Sequence, residues 1–235
     1  MATRPGGELA KRPLHFMFIL DCSGSMTYDG KIQSLNHAIR EAIPHMKVVA
    51  DGNPNADLLV RAIKFSSGAE WHVSQPTPVD SFTWMDVSAN GVTDMGRAFS
   101  MVADQLKIPP MTDRALPPVL VLISDGQPTD DYSTGLDAIM KQPWGKKSVR
   151  IAIAIGRDAD NDVLQKFIGH SEMKPLQADN ADALVKYIRW VSTAVVGAAS
   201  SPPSQTTDTM APGINIPIPA PPTIDQSQVT PGDVW

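Results

Sequence analysis

At 235 residues the chain is long enough for one domain with a tail, and its 42% hydrophobic and 19% charged residues exclude wholesale disorder. A net charge of -5 argues against a nucleic-acid binder, which would carry a clustered basic face. The single cysteine, Cys22, excludes an internal disulfide framework and a multi-cysteine zinc site.

Residues 1–12 read as an N-terminal arm. The apolar run Leu14–Leu20 follows Arg4, Lys11 and Arg12, as in a secretory leader, but it stops at Asp21 without a small-residue cleavage pattern. It also falls short of the roughly 20 apolar residues that a membrane span needs. A buried strand in a cytoplasmic protein, with no membrane partner, is the expectation.

Next comes a helical stripe, Ile32, Leu35, Ile39, Ala42 and Ile43, which Pro44 should end or kink. Ala56–Phe65 and Glu70–Val73 read as a hairpin near one sheet edge. Met95, Ala98, Phe99, Val102 and Leu106 form a second stripe. Pro118–Ser124 is another continuous apolar strand, suited like the first to a position covered on both faces. Asp130 and Asp131 stand where caps belong for a helix around Leu136. Val149–Ile155 alternates as a strand. Leu184, Tyr187, Ile188, Val191 and Val195 mark a final helix over residues 181–196.

Strands alternating with helices predict an α/β domain over 13–200: a three-layer, doubly wound, mostly parallel sheet flanked by helices, with one antiparallel edge strand. Ligand sites in such folds form where loops leave the carboxyl ends of neighbouring strands. Residues 201–235 differ in character. They hold 8 of the 21 prolines and no Lys or Arg, and their charges are Asp208, Asp225 and Asp233. Ile214, Ile216 and Ile218 alternate into Pro217, Pro219, Pro221 and Pro222, which favours extended polyproline-like backbone in a flexible linker or docking peptide. Trp235 is an apolar group that could anchor in a pocket. Thr206, Thr207, Thr209, Thr223 and Thr230 are candidate phosphoacceptors that composition alone does not single out.

The first strand ends in Asp21-Cys22-Ser23-Gly24-Ser25-Met26. Alternation points Asp21, Ser23 and Ser25 the same way, and Gly24 lets the loop bend so that their oxygens converge. An oxygen-only cluster suits a hard cation such as Mg²⁺ rather than zinc. Two more segments belong beside it: Asn90-Gly91-Val92-Thr93-Asp94-Met95-Gly96, which offers the Thr93 hydroxyl before a helix, and Ser124-Asp125-Gly126-Gln127-Pro128-Thr129-Asp130 after the second buried strand. Asp125 has the same topological address as Asp21.

These residues resemble the von Willebrand factor A domain with its metal-ion-dependent adhesion site. Asp21, Ser23 and Ser25 match its Asp-x-Ser-x-Ser element, Thr93 its second-loop threonine and Asp125 its third-loop aspartate. The resemblance covers roughly residues 13–196. The wording around Asp125 is most similar to the bacterial tellurium-resistance (TerY-type) branch. The resemblance implies a metal set of Asp21, Ser23, Ser25, Thr93 and Asp125, with hydroxyls touching the ion and the aspartates acting partly through water. The metal would be Mg²⁺, with Mn²⁺ or Ca²⁺ as alternatives. It also implies a monomeric, non-enzymatic module that takes a partner's Asp or Glu at an open metal position, in a stress-response or phosphosignalling setting with a kinase or phosphatase as candidate partner. Asp94 stands where the family commonly has a small residue; a helix cap, a water-mediated ligand and a modifier of metal affinity all remain open.

Two other functions compete. Asp21 at a strand end beside Mg²⁺ also describes phosphotransferase sites, although Ser23 stands where an aspartyl-phosphate enzyme wants a second acid and no lysine can be assigned. A structural domain with a degenerate site, whose tail does the binding, is the third reading. Cys22 lacks a His nearby in sequence and should pack inward. His15, His37, His45, His72 and His170 lack paired ligand spacing and read as surface or boundary residues.

Overall fold

The run Leu14–Leu20 has no polar face, and such a strand is stable only where both faces are covered. In the computed structural model, which describes residues 10–200 and 216–224, it forms the middle of β1 (Arg12–Asp21). The chain continues through α1 (Lys31–Asp51), β2 (Ala56–Ser66), β3 (Gly68–Pro78), α2 (Met95–Gln105), β4 (Val119–Ser124), α3 (Tyr132–Lys141) and α4 (Pro143–Lys147). Then follow β5 (Val149–Ile155), α5 (Asn161–Ile168), β6 (Leu176–Ala178), α6 (Ala181–Trp190), a π-helical turn (Val191–Val195) and α7 (Val196–Ala199).

The six strands lie in the order β3-β2-β1-β4-β5-β6. All neighbours pair in parallel except β2 with β3, the antiparallel edge. The α/β fold class expected from the sequence is therefore the one observed, with one antiparallel strand at the edge. Alternate residues of β1 serve two cores. Leu14, Phe16, Phe18 and Leu20 pack with Leu35 and Ile39 of α1 and Leu184 and Ile188 of α6. Met17 and Ile19 face the opposite layer with Phe99 and Val102 of α2 and Phe167 of α5. There the Phe99 and Phe167 rings stack with centroids 5.3 Å apart.

Several local expectations need correction. α1 runs through Pro44 to Asp51, because Met46 beyond the proline is fully buried and continues the inward stripe. β3 reaches far past Val73. The final helix is interrupted by the π-helical turn, where Ser192 Oγ donates to Ile188 O at 2.6 Å. α5 and β6 had no expectation. His15 is not a boundary residue: it lies in the middle of β1 and is 8% exposed.

Among the described residues, no helix is long and apolar enough to cross a membrane. The proposed arm falls largely outside the described residues, as do Trp235 and the threonines at 206, 207, 209 and 230. Residues 216–224 are described, and they are not a free tail: Ile216, Ile218 and Ile224 pack against the core on the α1 and α6 side.

Candidate metal centre

β1 is followed in sequence by β2 on one side and flanked by β4 on the other, so the strand order reverses between β1 and β4 and a crevice opens at their carboxyl ends. Asp21 closes β1 and Ser124 closes β4 at nearly the same level, since Leu20 pairs with Ile123. Ser124 Oγ donates to Asp21 Oδ2 at 2.6 Å, and Ser23 N donates to Asp21 Oδ1 at 2.8 Å. The Ser23 and Ser25 hydroxyls stand 2.9 Å apart. Burial, and after it the charge of Asp125, pushes the Asp21 carboxyl up to about 6, against the opposing hydrogen bonds from Ser124 and Ser23.

Three loops are stitched into a closed triangle. The first meets the second where Gly24 N donates to Gly91 O at 3.0 Å and Asn90 N donates to Cys22 O at 2.8 Å. The fit is close: a Cβ on Gly24 would stand 3.1 Å from Gly91 O, while Gly91 has φ +74° and would drive a Cβ into Ser67. The second meets the third where Thr129 N donates to Thr93 O at 2.9 Å and Thr93 N donates to Thr129 Oγ1 at 3.0 Å. The third returns to the first through Ser124 and Asp21.

All five expected residues thus sit on loops that meet at one end of the sheet. Asp21, Ser23 and Ser25 are joined by direct contact, Asp125 is coupled to Asp21 by charge, and Thr93 is delivered by Thr129. Ser25 is half-buried; the other four are buried.

Asp94 does none of its side-chain capping at α2. Its Oδ2 accepts from Gly68 N at 2.6 Å and its Oδ1 from Thr129 Oγ1 at 3.3 Å, so both oxygens hold loops together. The cap of α2 comes from Asp130, whose two oxygens accept from Gly96 N at 2.8 Å and Arg97 N at 2.9 Å. Asp130 was expected on the following helix; only Asp131 serves that one, accepting from Thr134 N at 3.1 Å. Ser124 and Thr129 also had no assigned role, although both lie within the conspicuous segment around Asp125. Cys22 faces the core, and burial with the neighbouring Asp21 charge pushes its thiol up to about 12, the reverse of an activated nucleophile.

The donor chemistry fits a hard dication. The charge of buried Asp125 acts against that of buried Asp21 beside the paired Ser23 and Ser25 hydroxyls, and a cation bound between the carboxylates would remove that repulsion. No cluster of three or more His, Cys, Asp or Glu placed to hold a metal occurs among the described residues. Carboxylate and hydroxyl oxygens, carried by Asp21, Ser23, Ser25, Thr93 and Asp125, are the donors available at this end of the sheet.

The sequence profile of the von Willebrand factor type A domain matches residues 16–188. No curated protein matches the chain. Among solved structures, a von Willebrand factor type A protein from Catenulispora acidiphila is similar at 17% identity and a TM-score of 0.60, over 80% of this chain and 43% of that one. The chain thus spans less than half the length of that structure. The manganese-loaded TRAP protein of Plasmodium vivax is similar at 18% identity and a TM-score of 0.52, over 76% of this chain and 74% of that one. Proximal thread matrix protein 1 of the mussel byssus, with zinc in its metal-ion-dependent adhesion site, is similar at 15% identity and a TM-score of 0.59, over 81% and 50%. At these identities the likeness concerns the fold.

Proposed function

The chain belongs to the von Willebrand factor type A family, and from that premise we propose that it is a non-enzymatic interaction module that binds an acidic residue of a protein partner through Mg²⁺. The ion would be held by Asp21, Ser23, Ser25, Thr93 and Asp125. One observation carries this reading: the charge of buried Asp125 adds to the cost of ionising buried Asp21 beside paired serine hydroxyls. Two carboxylates and neutral hydroxyls leave a dication incompletely coordinated, and an acidic group from outside completes it. Relatives of this fold hold manganese and zinc, which supports a divalent metal here; the choice of Mg²⁺ rests on the all-oxygen donor set.

The rim suits a protein ligand. Tyr28 on the first loop is 68% exposed and Val92 on the second is 47% exposed. Apolar side chains beside the ion would shield a partner's carboxylate from water and strengthen its bond to the metal. A stress-response or phosphosignalling role of the tellurium-resistance type, in the cytoplasm and beside a kinase or phosphatase, rests on the Ser-Asp-Gly-Gln-Pro-Thr-Asp wording at 124–130 and belongs to the same proposal.

The test is capture of protein partners on the intact chain and on Ser23→Ala, each in Mg²⁺ and in chelator. The main partner is expected only with the intact chain in Mg²⁺; retention in chelator overturns the reading. A generic phosphate ester offered with Mg²⁺ should not turn over, and sustained hydrolysis lost in Asp21→Ala would make the protein a phosphatase instead.

A further inference from the structure

At the end of the sheet away from the candidate metal centre, a cavity of about 450 Å³ lies between residues 216–221 and a face built by β5, β6 and the end of α6. Ile151, Met173, Leu176 and Trp190 form its apolar wall, and Ile216 and Ile218 lie along it. Ile151 is near the start of β5, and Met173 and Leu176 lie at the amino-terminal approach to β6, whereas Asp21 and Asp125 lie at carboxyl ends. The two sites therefore do not compete for space.

The seated segment alternates strictly where the sequence does. Ile216 and Ile218 are half-buried while Pro217 and Pro219 are exposed, and Ala220 and Pro221 lie outward before Pro222 and Ile224 turn in again. Among the described residues, 216–224 makes no hydrogen bond. An isoleucine-proline repeat is suited to such a contact. Proline has no N–H to leave unsatisfied, and polyproline-like backbone is extended before it binds, so little conformational entropy is lost on docking. A contact made only of half-buried apolar groups is also weak enough to be released.

We propose that this face is a peptide-binding site for extended isoleucine-proline segments and that residues 216–221 cover it in cis as a displaceable latch. Because the segment belongs to the same chain, it competes with a free peptide at an effective concentration on the order of 1 mM, so a trans affinity of about 100 µM makes the cis ligand win about tenfold.

Fluorescence anisotropy with a labelled peptide of residues 214–224 tests this on the full-length chain. Ile216→Asp combined with Ile218→Asp uncovers the face without touching a fully buried residue. The peptide should bind this variant, bind the unsubstituted chain about tenfold more weakly, and fail to bind either when the peptide itself carries the same two changes. Equal affinity for the two proteins overturns the proposal, as does no binding to the unlatched variant or equal binding of the substituted peptide.

Discussion

Thr93 and Thr129 hold each other at both backbone and side chain: Thr129 N donates to Thr93 O at 2.9 Å, and Thr129 Oγ1 accepts from Thr93 N at 3.0 Å. The same hydroxyl donates onward to Asp94 Oδ1, and Asp94 grips the β2–β3 turn at Gly68. A candidate metal ligand is thus aimed by residues that need not touch metal.

Thr129→Val keeps the shape and removes the hydroxyl. Both hydrogen bonds of that hydroxyl are lost; the one to Thr93, of about 1 kcal/mol, bears on the candidate ligand, and its loss should weaken Mg²⁺ by roughly fivefold. Because Thr129 is exposed, the melting temperature without metal should move little. Titration calorimetry and thermal melts of the same samples check both halves; an unchanged Mg²⁺ affinity would show that Thr93 is held well enough without Thr129.

Asp21→Asn should separate stability from binding. The Asp21 carboxyl is raised to about 6 in the fold from 3.8, so its ionised form costs the metal-free protein stability at neutral pH, and the amide should recover roughly 1–3 kcal/mol. The variant should melt higher than the parent in chelator and gain nothing from Mg²⁺. The parent should gain about 2.7 kcal/mol at a Mg²⁺ concentration 100 times its Kd.

Acid should release the metal. A proton on Asp21 competes with the cation below about pH 6, so the apparent Mg²⁺ affinity should fall about tenfold per pH unit beneath that point and level off above it. Calorimetric titrations at pH 5, 6 and 7.5 measure the slope, and a flat profile would remove Asp21 from the ligand set.

His15 gives stability its own pH dependence. Burial and then the nearby Arg61 charge hold the imidazole down at about 4, against 6.5 in an unfolded chain. Between those values the unfolded state binds more protons, so stability falls as pH drops from 6.5 to about 4, by on the order of 3 kcal/mol. Asp21 acts in the opposite sense, because its folded form holds the proton more readily between pH 3.8 and about 6. Urea denaturation of Asp21→Asn should therefore show a steeper rise from pH 4 to 6.5 than the parent, and adding His15→Leu to Asp21→Asn should flatten that rise.

Asp130→Ala removes the side chain that accepts from the first turn of α2 at Gly96 and Arg97. A lost cap of about 1 kcal/mol should lower the melting temperature by a few degrees. Asp131→Ala should act on α3 instead, so hydrogen exchange should accelerate at the start of a different helix in each variant.

Much of this was legible from local pattern. The unbroken apolar runs at 14–20 and 118–124 require cover on both faces, which already implies a central parallel sheet. Asp21 and Ser23 follow the alternation of one extended stretch, while Ser25 is brought beside Ser23 by the 3-10 turn that begins at Gly24. β6 was not legible, because three residues with one inward pair are too few to show a period. The burial of His15 was not legible either, since a histidine inside a strand declares its partners only when Arg61 on the neighbouring strand is brought beside it.

The sequence alone thus determined the layers of the fold and the oxygen chemistry of its upper loops, because both depend on residues within a few positions of one another. Tertiary structure decided which helix Asp130 caps, how Thr129 and Asp94 aim Thr93, and where Ile216 and Ile218 come to rest. Those outcomes join residues from 26 to 67 positions apart, and such contacts depend on strand register and loop approach, which no local periodicity encodes.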